Sequence, residues 1–141
     1  MATNTAAIRV GRLLEIRGEA GYRTAADVDQ LFDIIDAEVA KLPSSQKHVT
    51  IVDWRHCPVM SPQAAQRIGQ RIVLTNPRTE RSAALAVADA PVAVLQFLRV
   101  IREAGLPDRR LFFGVDELVP WLSEALTSIE TARLRQFLAE G

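Results

Sequence analysis

Apolar residues along this chain follow strand-like and helix-like periodicities, and one unbroken apolar run stands between them. Residues 49–52 form a four-residue run whose only polar member is Thr50. A short β-branched run of this kind is typical of a strand that is buried on both faces. Asp53 follows directly, and a loop then leads to Ser61 and Pro62, which are typical of a helix start. The pattern therefore predicts a central strand, a loop and a helix, in that order.

The remaining segments also alternate between the two kinds of spacing. We predict a loose terminus at 1–7, strands at 8–10, 13–17, 81–88 and 111–115, and helices at 24–42, 61–74, 91–104 and from Asp116 or Val119 to Leu138. In the third helix the spacing predicts that Val94, Leu95, Leu98 and Ile101 face inward. In the second strand Glu15 and Arg17 alternate with apolar residues, which predicts a wetter face or an edge. Strands that alternate with helices indicate an α/β fold with a mixed, mostly parallel sheet and covering helices.

The domain organisation follows from length and from the last apolar stripe. At 141 residues the chain is long enough for one ordinary core, which we assign to 1–126. Residues 127–141 form a helical extension, which either packs back on the sheet or binds a helix of another chain. In open α/β sheets ligands usually bind beyond the carboxyl ends of central strands. The loop after Asp53 is therefore the predicted functional site.

Composition narrows the class of protein. Lysine and arginine together number 17, as do aspartate and glutamate, so there is no global attraction to nucleic acid or to an anionic membrane. Cys57 is the single cysteine, so no internal disulfide can form. We find neither a secretory signal nor an apolar stretch of about 20 residues, the length that a membrane span needs. We therefore expect a cytoplasmic protein without a membrane span or a nucleic-acid partner.

Three features together resemble the STAS family, named for sulfate transporters and anti-sigma factor antagonists, and especially its SpoIIAA-like branch. They are the strand ending at Asp53-Trp54, the loop ending at Met60-Ser61, and the segment 112–122 with its sequence Phe-Phe-Gly-Val-Asp-Glu-Leu-Val-Pro-Trp-Leu. The resemblance covers roughly residues 11–126. It implies a STAS-like domain that binds protein partners, such as an anti-sigma factor or a kinase-like protein, without cofactor or metal chemistry.

The resemblance also bears on a phosphorylation switch. In anti-sigma factor antagonists a partner kinase phosphorylates a serine in an Asp-Ser-Ser-Gly-like motif at this helix start. An ungapped comparison puts Ser61 on the aspartate of that motif, Pro62 on the first serine, Gln63 on the usual acceptor and Ala64 on the glycine. The usual acceptor is therefore absent. Ser61 is either a helix cap or a displaced phosphosite, where the helix N-terminus would favour a phosphate.

Several side chains around the loop are candidates for partner binding. Trp54 is either a core residue or an interface anchor. A basic patch that an acidic partner would fit is formed by Arg55, Arg67, Arg71, Arg78 and Arg81. That partner could be the aspartate-rich first helix of a second subunit, which would make a homodimer. The complete set of predicted partner-binding residues is Asp53, Trp54, Arg55, Ser61, Gln63, Arg67 and Arg71.

Chemical roles at the loop find less support. Asp53 also resembles the phosphoacceptor of response-regulator receivers, but the acidic pair that would hold magnesium is missing, since Glu15 and Glu19 are separated. His56 and Cys57 are too few for a zinc site and, as neighbours, point apart. We therefore expect a non-enzymatic interaction and signalling module. The alternative is a small-molecule or lipid carrier, which would show an apolar pocket larger than roughly 300 Å³.

Overall fold

Five strands and five α-helices are present in residues 3–141, the part of the chain that the computed structural model describes. The strands are β1 Asn4–Ile8, β2 Leu13–Gly18, β3 His48–Asp53, β4 Thr79–Leu85 and β5 Arg109–Phe112. The helices are α1 Ala25–Val39, α2 Pro62–Thr75, α3 Pro91–Ala104, α4 Val115–Ser123 and α5 Ser128–Glu140, and one 3₁₀ turn spans Asn76–Arg78. The predicted α/β fold with a mixed sheet is confirmed at this level.

The sheet has the order β1-β2-β3-β4-β5, with β1 antiparallel to β2 and every other pair parallel. Helices α1, α2 and α3 pack on one face of the sheet, and α4 and α5 pack on the other. Strands that are consecutive in the chain are therefore neighbours, and their connecting helices share one face. The sheet has no point at which the strand order reverses, and it is at such a point that a ligand crevice opens. The general argument for a groove beyond the central strand loses its basis here.

Strand β3 is central, as its apolar run predicts. Val49 and Ile51 pack against α4 and α5, whereas Val52 lies under α1, α2 and α3. Burial from both sides explains why apolar residues follow one another in this strand without the alternation of a half-exposed strand.

The first strands differ from the prediction. Strand β1 begins at Asn4, inside the expected loose terminus, whose residues 1 and 2 lie outside the described part of the chain. A tight turn follows it, in which Gly11 has a φ of +57°, a left-handed conformation that glycine adopts without steric cost. Strand β2 is also not an edge, because it lies between β1 and β3 and Glu15 is buried.

The predicted inward face of α3 is half correct, because Val94 and Ile101 pack against the core cluster whereas the two leucines do not. Its buried residues are Ala93, Phe97, Val100 and Ala104, while Leu95 and Leu98 are exposed. Both stripes have helical spacing, so periodicity does not choose between them. The stripe with the alanines faces the sheet. Three large aliphatic side chains are left on the outside, those of Val92, Leu95 and Leu98.

The chain after β5 forms two helices instead of one. Helix α4 begins at Val115, five residues before Pro120, and a break follows Ser123. Thr127 then caps α5, in a reciprocal arrangement with Glu130 that satisfies two free backbone N–H groups. Leu134, Phe137 and Leu138 are buried in the same core cluster as β3. The C-terminal extension therefore packs back on the sheet as part of the domain.

Candidate functional site

The carboxyl end of β3 is occupied by a cluster of Asp53, Arg17 and Arg55, which we call the Asp53 cluster. Asp53 is only 3% exposed. Its Oδ2 accepts from Arg17 Nη1 at 2.8 Å and from Arg55 Nη2 at 2.9 Å, and its Oδ1 accepts from the Arg55 backbone N–H and Nε. Both carboxylate oxygens of Asp53 thus accept hydrogen bonds, one from Arg17 on the neighbouring strand and three from Arg55 in the loop.

The same two arginines hold the end of α5 over this site. Arg17 Nη2 donates to the carbonyl of Phe137 at 2.5 Å, and Arg55 Nη2 donates to the carbonyl of Leu138 at 2.8 Å. Two cations at a helix C-terminus are favourable, because the last carbonyls are unpaired and the dipole is negative there. Burial alone would raise the pKa of Asp53, but its hydrogen bonds and the charges of Arg55 and Arg17 outweigh burial and lower the pKa. Asp53 is therefore ionised and holds α5 in place through the two arginines. It is covered and not presented to a partner.

Trp54 belongs to the core. Its ring stacks on Phe97 of α3 with centroids 4.3 Å apart, and its indole N–H donates to the Tyr22 hydroxyl at 3.2 Å. A side chain at Gly18 would collide with Tyr22 and Trp54, so this close approach requires glycine. Trp54 is thus not available as the interface anchor considered above.

The rest of the predicted loop is more accessible. His56, Pro58 and Val59 are exposed at its tip. The next residue, Met60, is buried and its backbone exchanges two hydrogen bonds with the Gln96 side chain, at 2.8 and 2.9 Å. The loop is therefore fixed to α3 while its tip faces outward.

At the start of α2, Ser61 is the N-cap and Gln63 is exposed. The Ser61 hydroxyl accepts from the Ala64 backbone N–H at 3.0 Å, and Pro62 occupies the first turn. Ser61 is half-buried. The structure thus shows its capping contact, and its phosphorylation stays a prediction.

The predicted basic patch is neutralised within the chain. Arg67 makes two hydrogen bonds to Asp29, at 2.8 and 3.2 Å, and Arg71 bridges Asp29, Asp33 and Asp36 at 2.9 to 3.2 Å. The expected complement, the aspartate-rich face of α1, is correct in chemistry, but it belongs to the same chain. Sequence alone does not show that α1 and α2 are packed side by side. Arg67 and Arg71 are therefore not free for an acidic partner.

Neither Cys57 nor His56 forms a reactive site. Burial raises the pKa of the Cys57 thiol to about 12, so it is protonated at neutral pH. Within residues 3–141 no group of three or more His, Cys, Asp or Glu side chains is arranged to hold a metal ion. Over the same residues, no helix is long and apolar enough to cross a bilayer.

Two spaces lie near the predicted site. An open groove of about 770 Å³ runs along the start of α1 and the loop tip, and its lining residues include Arg23 and His56. A much smaller cavity of about 60 Å³ lies between the sheet and helices α1 to α3. This cavity is far below the roughly 300 Å³ of ordinary small-molecule pockets, so it is too small to hold a lipid.

Comparisons of the chain with protein-family models, with curated proteins and with solved structures gave no match. Membership of the STAS family therefore stays a proposal based on the residues quoted above.

A group of exposed apolar side chains on α3 forms a surface that the sequence did not single out. Leu95 is 68% exposed and Val92 57%, on the outer face of α3, with Leu98 beside them. Val59 is exposed on the loop that the hydrogen bond from Met60 to Gln96 fixes to the same helix. We call these four residues the α3 surface. The missed signal was the second apolar stripe of α3, one residue out of phase with the inward one.

Proposed function

We propose that this chain is a non-enzymatic protein-interaction module of STAS-like fold and that its α3 surface is the docking site. The observation that carries the proposal is the row of large apolar side chains that α3 leaves exposed. Isolated exposed apolar residues are common, whereas a contiguous group marks an interaction surface. In signalling, such a module would act in the cytoplasm, and its regulator would be an anti-sigma factor or kinase-like protein.

The partner that fits the α3 surface is a second copy of this chain. Val92, Leu95, Arg99 and Arg102 are spaced three, four and three residues apart, which forms one stripe along the helix. Asp89 precedes the stripe and Arg102 ends it. In an antiparallel pair of α3 helices, a two-fold axis between residues 95 and 96 puts Asp89 opposite Arg102 of the partner and the two Leu95 side chains together.

The charges on this stripe are available for that pairing. Asp89 and Arg102 are both exposed, and neither makes an ion pair with another residue in 3–141. Since each copy supplies one acid and one base, the pairing forms two identical salt bridges around an apolar centre. The neighbouring Arg99 is already paired with Glu103 at 2.9 Å, so its aliphatic stem is positioned to cover Val92 of the partner.

Sedimentation equilibrium tests the dimer. A single pair of helices of this length makes a small interface, so we expect a dissociation constant on the order of 10 µM. Leu95→Asp puts two carboxylates at the two-fold axis and should weaken the dimer by at least about tenfold. Leu74→Asp is the matched control, because Leu74 is an exposed leucine near the other end of the sheet. It should leave association unchanged.

The charge pattern gives a second and sharper test. Asp89→Arg and Arg102→Asp should each weaken the dimer, because each puts like charges opposite one another. The double variant exchanges the two signs and should restore association. A chain that stays monomeric at several hundred µM, or a double variant no better than the single ones, would overturn the second copy as the partner. A loss of dimer in Leu74→Asp would overturn the α3 surface.

A further inference from the structure

A row of polar residues crosses the sheet beneath helices α1 to α3. Thr50, Ser82 and Arg109 are paired neighbours in β3, β4 and β5. All three are buried and line the small cavity of about 60 Å³. The positions that surround them on this face, such as Leu14 and Ala84, are apolar. A polar row in such a place needs a structural or a functional explanation.

Arg109 is the unusual member of the row, because it is a buried cation without a carboxylate. It is only 7% exposed, and no carboxylate oxygen in residues 3–141 lies within ion-pair distance of it. Its Nε and Nη2 donate four hydrogen bonds to neutral acceptors, to Asn76 Oδ1 at 3.1 and 2.9 Å, to Thr75 Oγ1 at 2.8 Å and to Thr79 Oγ1 at 3.4 Å. Among the described residues, Nη1 has no hydrogen-bond partner. The Nε and Nη2 side of the guanidinium is thus held by hydrogen bonds, and Nη1 remains free to bind an acceptor.

The charge of Arg109 persists in this environment. Burial lowers its pKa to about 10, so the side chain is still a cation at neutral pH. The buried His48 lies nearby, between Thr50 Oγ1 at 2.8 Å and Thr79 Oγ1 at 3.4 Å. Burial, followed by the charges of Arg109, Arg78 and Arg12, lowers the pKa of His48 to about 4, which makes it neutral. The cavity therefore holds a net charge of one at its polar end, and a buried charge without a counterion is unfavourable.

The rest of the cavity decides which anion would fit. Beyond the polar end its lining is mostly aliphatic and aromatic, with Ile68, Ile72 and Ile101 on the helix side. About 60 Å³ is room for roughly four water-sized groups. A single negative charge on a short apolar chain matches this combination of charge, size and lining.

We propose that the Arg109 cavity is a binding site for a short-chain aliphatic monocarboxylate. Its carboxylate would accept from the free Nη1 of Arg109 and from the Ser82 hydroxyl, and its alkyl chain would lie against Ile72 and Ile101. One guanidinium balances one carboxylate, whereas inorganic phosphate carries more charge and would leave several oxygens against apolar side chains. This site is separate from the α3 surface, so the dimer and the ligand site can fail independently.

Titration with sodium acetate, followed in ¹H–¹⁵N correlation spectra of the full chain, tests the site. We expect saturable shifts at the amides of Ser82, Ile101 and Arg109, with a dissociation constant on the order of 1–10 mM, as is usual for a ligand of about four heavy atoms. Acetamide has the same shape without the charge, and it should bind at least about tenfold more weakly. Sodium chloride at equal ionic strength controls for salt effects.

Two variants separate binding from folding. Arg109→Met keeps the length and burial of the side chain without its charge, and it should abolish the acetate shifts. Ser82→Ala removes one donor and should weaken binding several-fold, which keeps the test valid if Arg109→Met does not fold. Acetate that binds no better than acetamide, shifts that do not saturate by about 50 mM, or shifts unchanged in Ser82→Ala would overturn the proposal. Tighter binding of inorganic phosphate would overturn the carboxylate assignment.

Discussion

Replacing Asp53 by asparagine tests whether the carboxyl end of β3 holds α5 in place or serves as a docking face. The change keeps the size of the side chain and removes its charge. Four donors from Arg17 and Arg55 converge on the two carboxylate oxygens at 2.8 to 3.1 Å. Asparagine keeps one acceptor and turns an amide N–H₂ group toward a guanidinium. Arg55 then loses its counterion and Arg17 keeps only Glu140 at 3.8 Å, while both arginines remain hydrogen bonded to carbonyls of α5.

The size of the effect follows from burial. Breaking a fully buried ion pair by removing one partner costs about 3–5 kcal/mol. Here Asp53 is fully buried, whereas the side chains of Arg17 and Arg55 are 15% and 21% exposed, so solvent reduces the cost. We therefore expect a loss of about 3 kcal/mol in the free energy of unfolding. For a chain of this length that corresponds to a melting temperature lower by about 10 °C.

Urea unfolding followed by circular dichroism measures this loss, and hydrogen exchange locates it. Amides in the last two turns of α5 should lose protection first, because their carbonyls are held by the two arginines. Asp33→Asn is the control, since Asp33 is an exposed residue of α1 that pairs with Arg71, and it should change stability little. A loss below about 1 kcal/mol in Asp53→Asn, or unchanged exchange in α5, would refute the fastening role.

Three further predictions concern the cap of α2, the buried histidine and the last helix. Ser61→Ala should lower stability by about 1 kcal/mol while Ser61→Asp stays within a few tenths, because aspartate also caps helices; denaturant titrations compare them, and equal losses would contradict the capping role. The pKa of His48 in the folded protein, about 4, lies below its ordinary value of 6.5. Between pH 4 and 6.5 His48 is therefore protonated in the unfolded chain but neutral in the folded one. The stability from neutral His48 is therefore complete above pH 6.5 and declines as the pH falls to about 4, by about 3 kcal/mol; His48→Gln should flatten this part of a stability–pH curve, and an unchanged slope would contradict it. Removal of 127–141 should unfold the domain, because it uncovers the core beneath Leu134 and Phe137 and leaves the Asp53 cluster open; circular dichroism that still shows a cooperative melt would contradict the assignment of α5 to the core.

Sequence predicted those parts of the fold that depend on local signals. The helix starts at Thr24 and Ser61 follow from hydroxyl caps, and β3 follows from its uninterrupted apolar run. The break between α4 and α5 was not predicted, although Thr127 and Glu130 carry the same kind of cap as Thr24 and Asp27. The apolar stripe of α4 continues with the same helical spacing into α5. Because the spacing is unbroken, periodicity indicated one helix and the cap at Thr127 was missed.

The candidate site was less predictable, because its properties depend on which elements are neighbours. Arg67 and Arg71 read as a free basic patch until α1 is placed beside α2, where its aspartates neutralise them. Arg109 was placed outside its strand, since a charged residue argues against a buried position. Leu95 was placed inside, because two stripes of α3 satisfy the same spacing and only the packing of Ala93 and Phe97 against the sheet decides between them.

Two arginines without a carboxylate partner among residues 3–141 underlie the two proposals, and burial separates their energetics. Arg102 is exposed on α3, where water solvates its charge, so an unpaired state costs little and the dimer is optional for the fold. Arg109 is buried beneath three helices, where an unpaired guanidinium costs several kcal/mol unless water or an anion reaches it. Stability should therefore respond to a ligand at Arg109 but hardly to substitution of Arg102. Replacing Arg109 by methionine should not lower the stability of the free protein, even though it removes four hydrogen bonds, because it also removes the uncompensated charge.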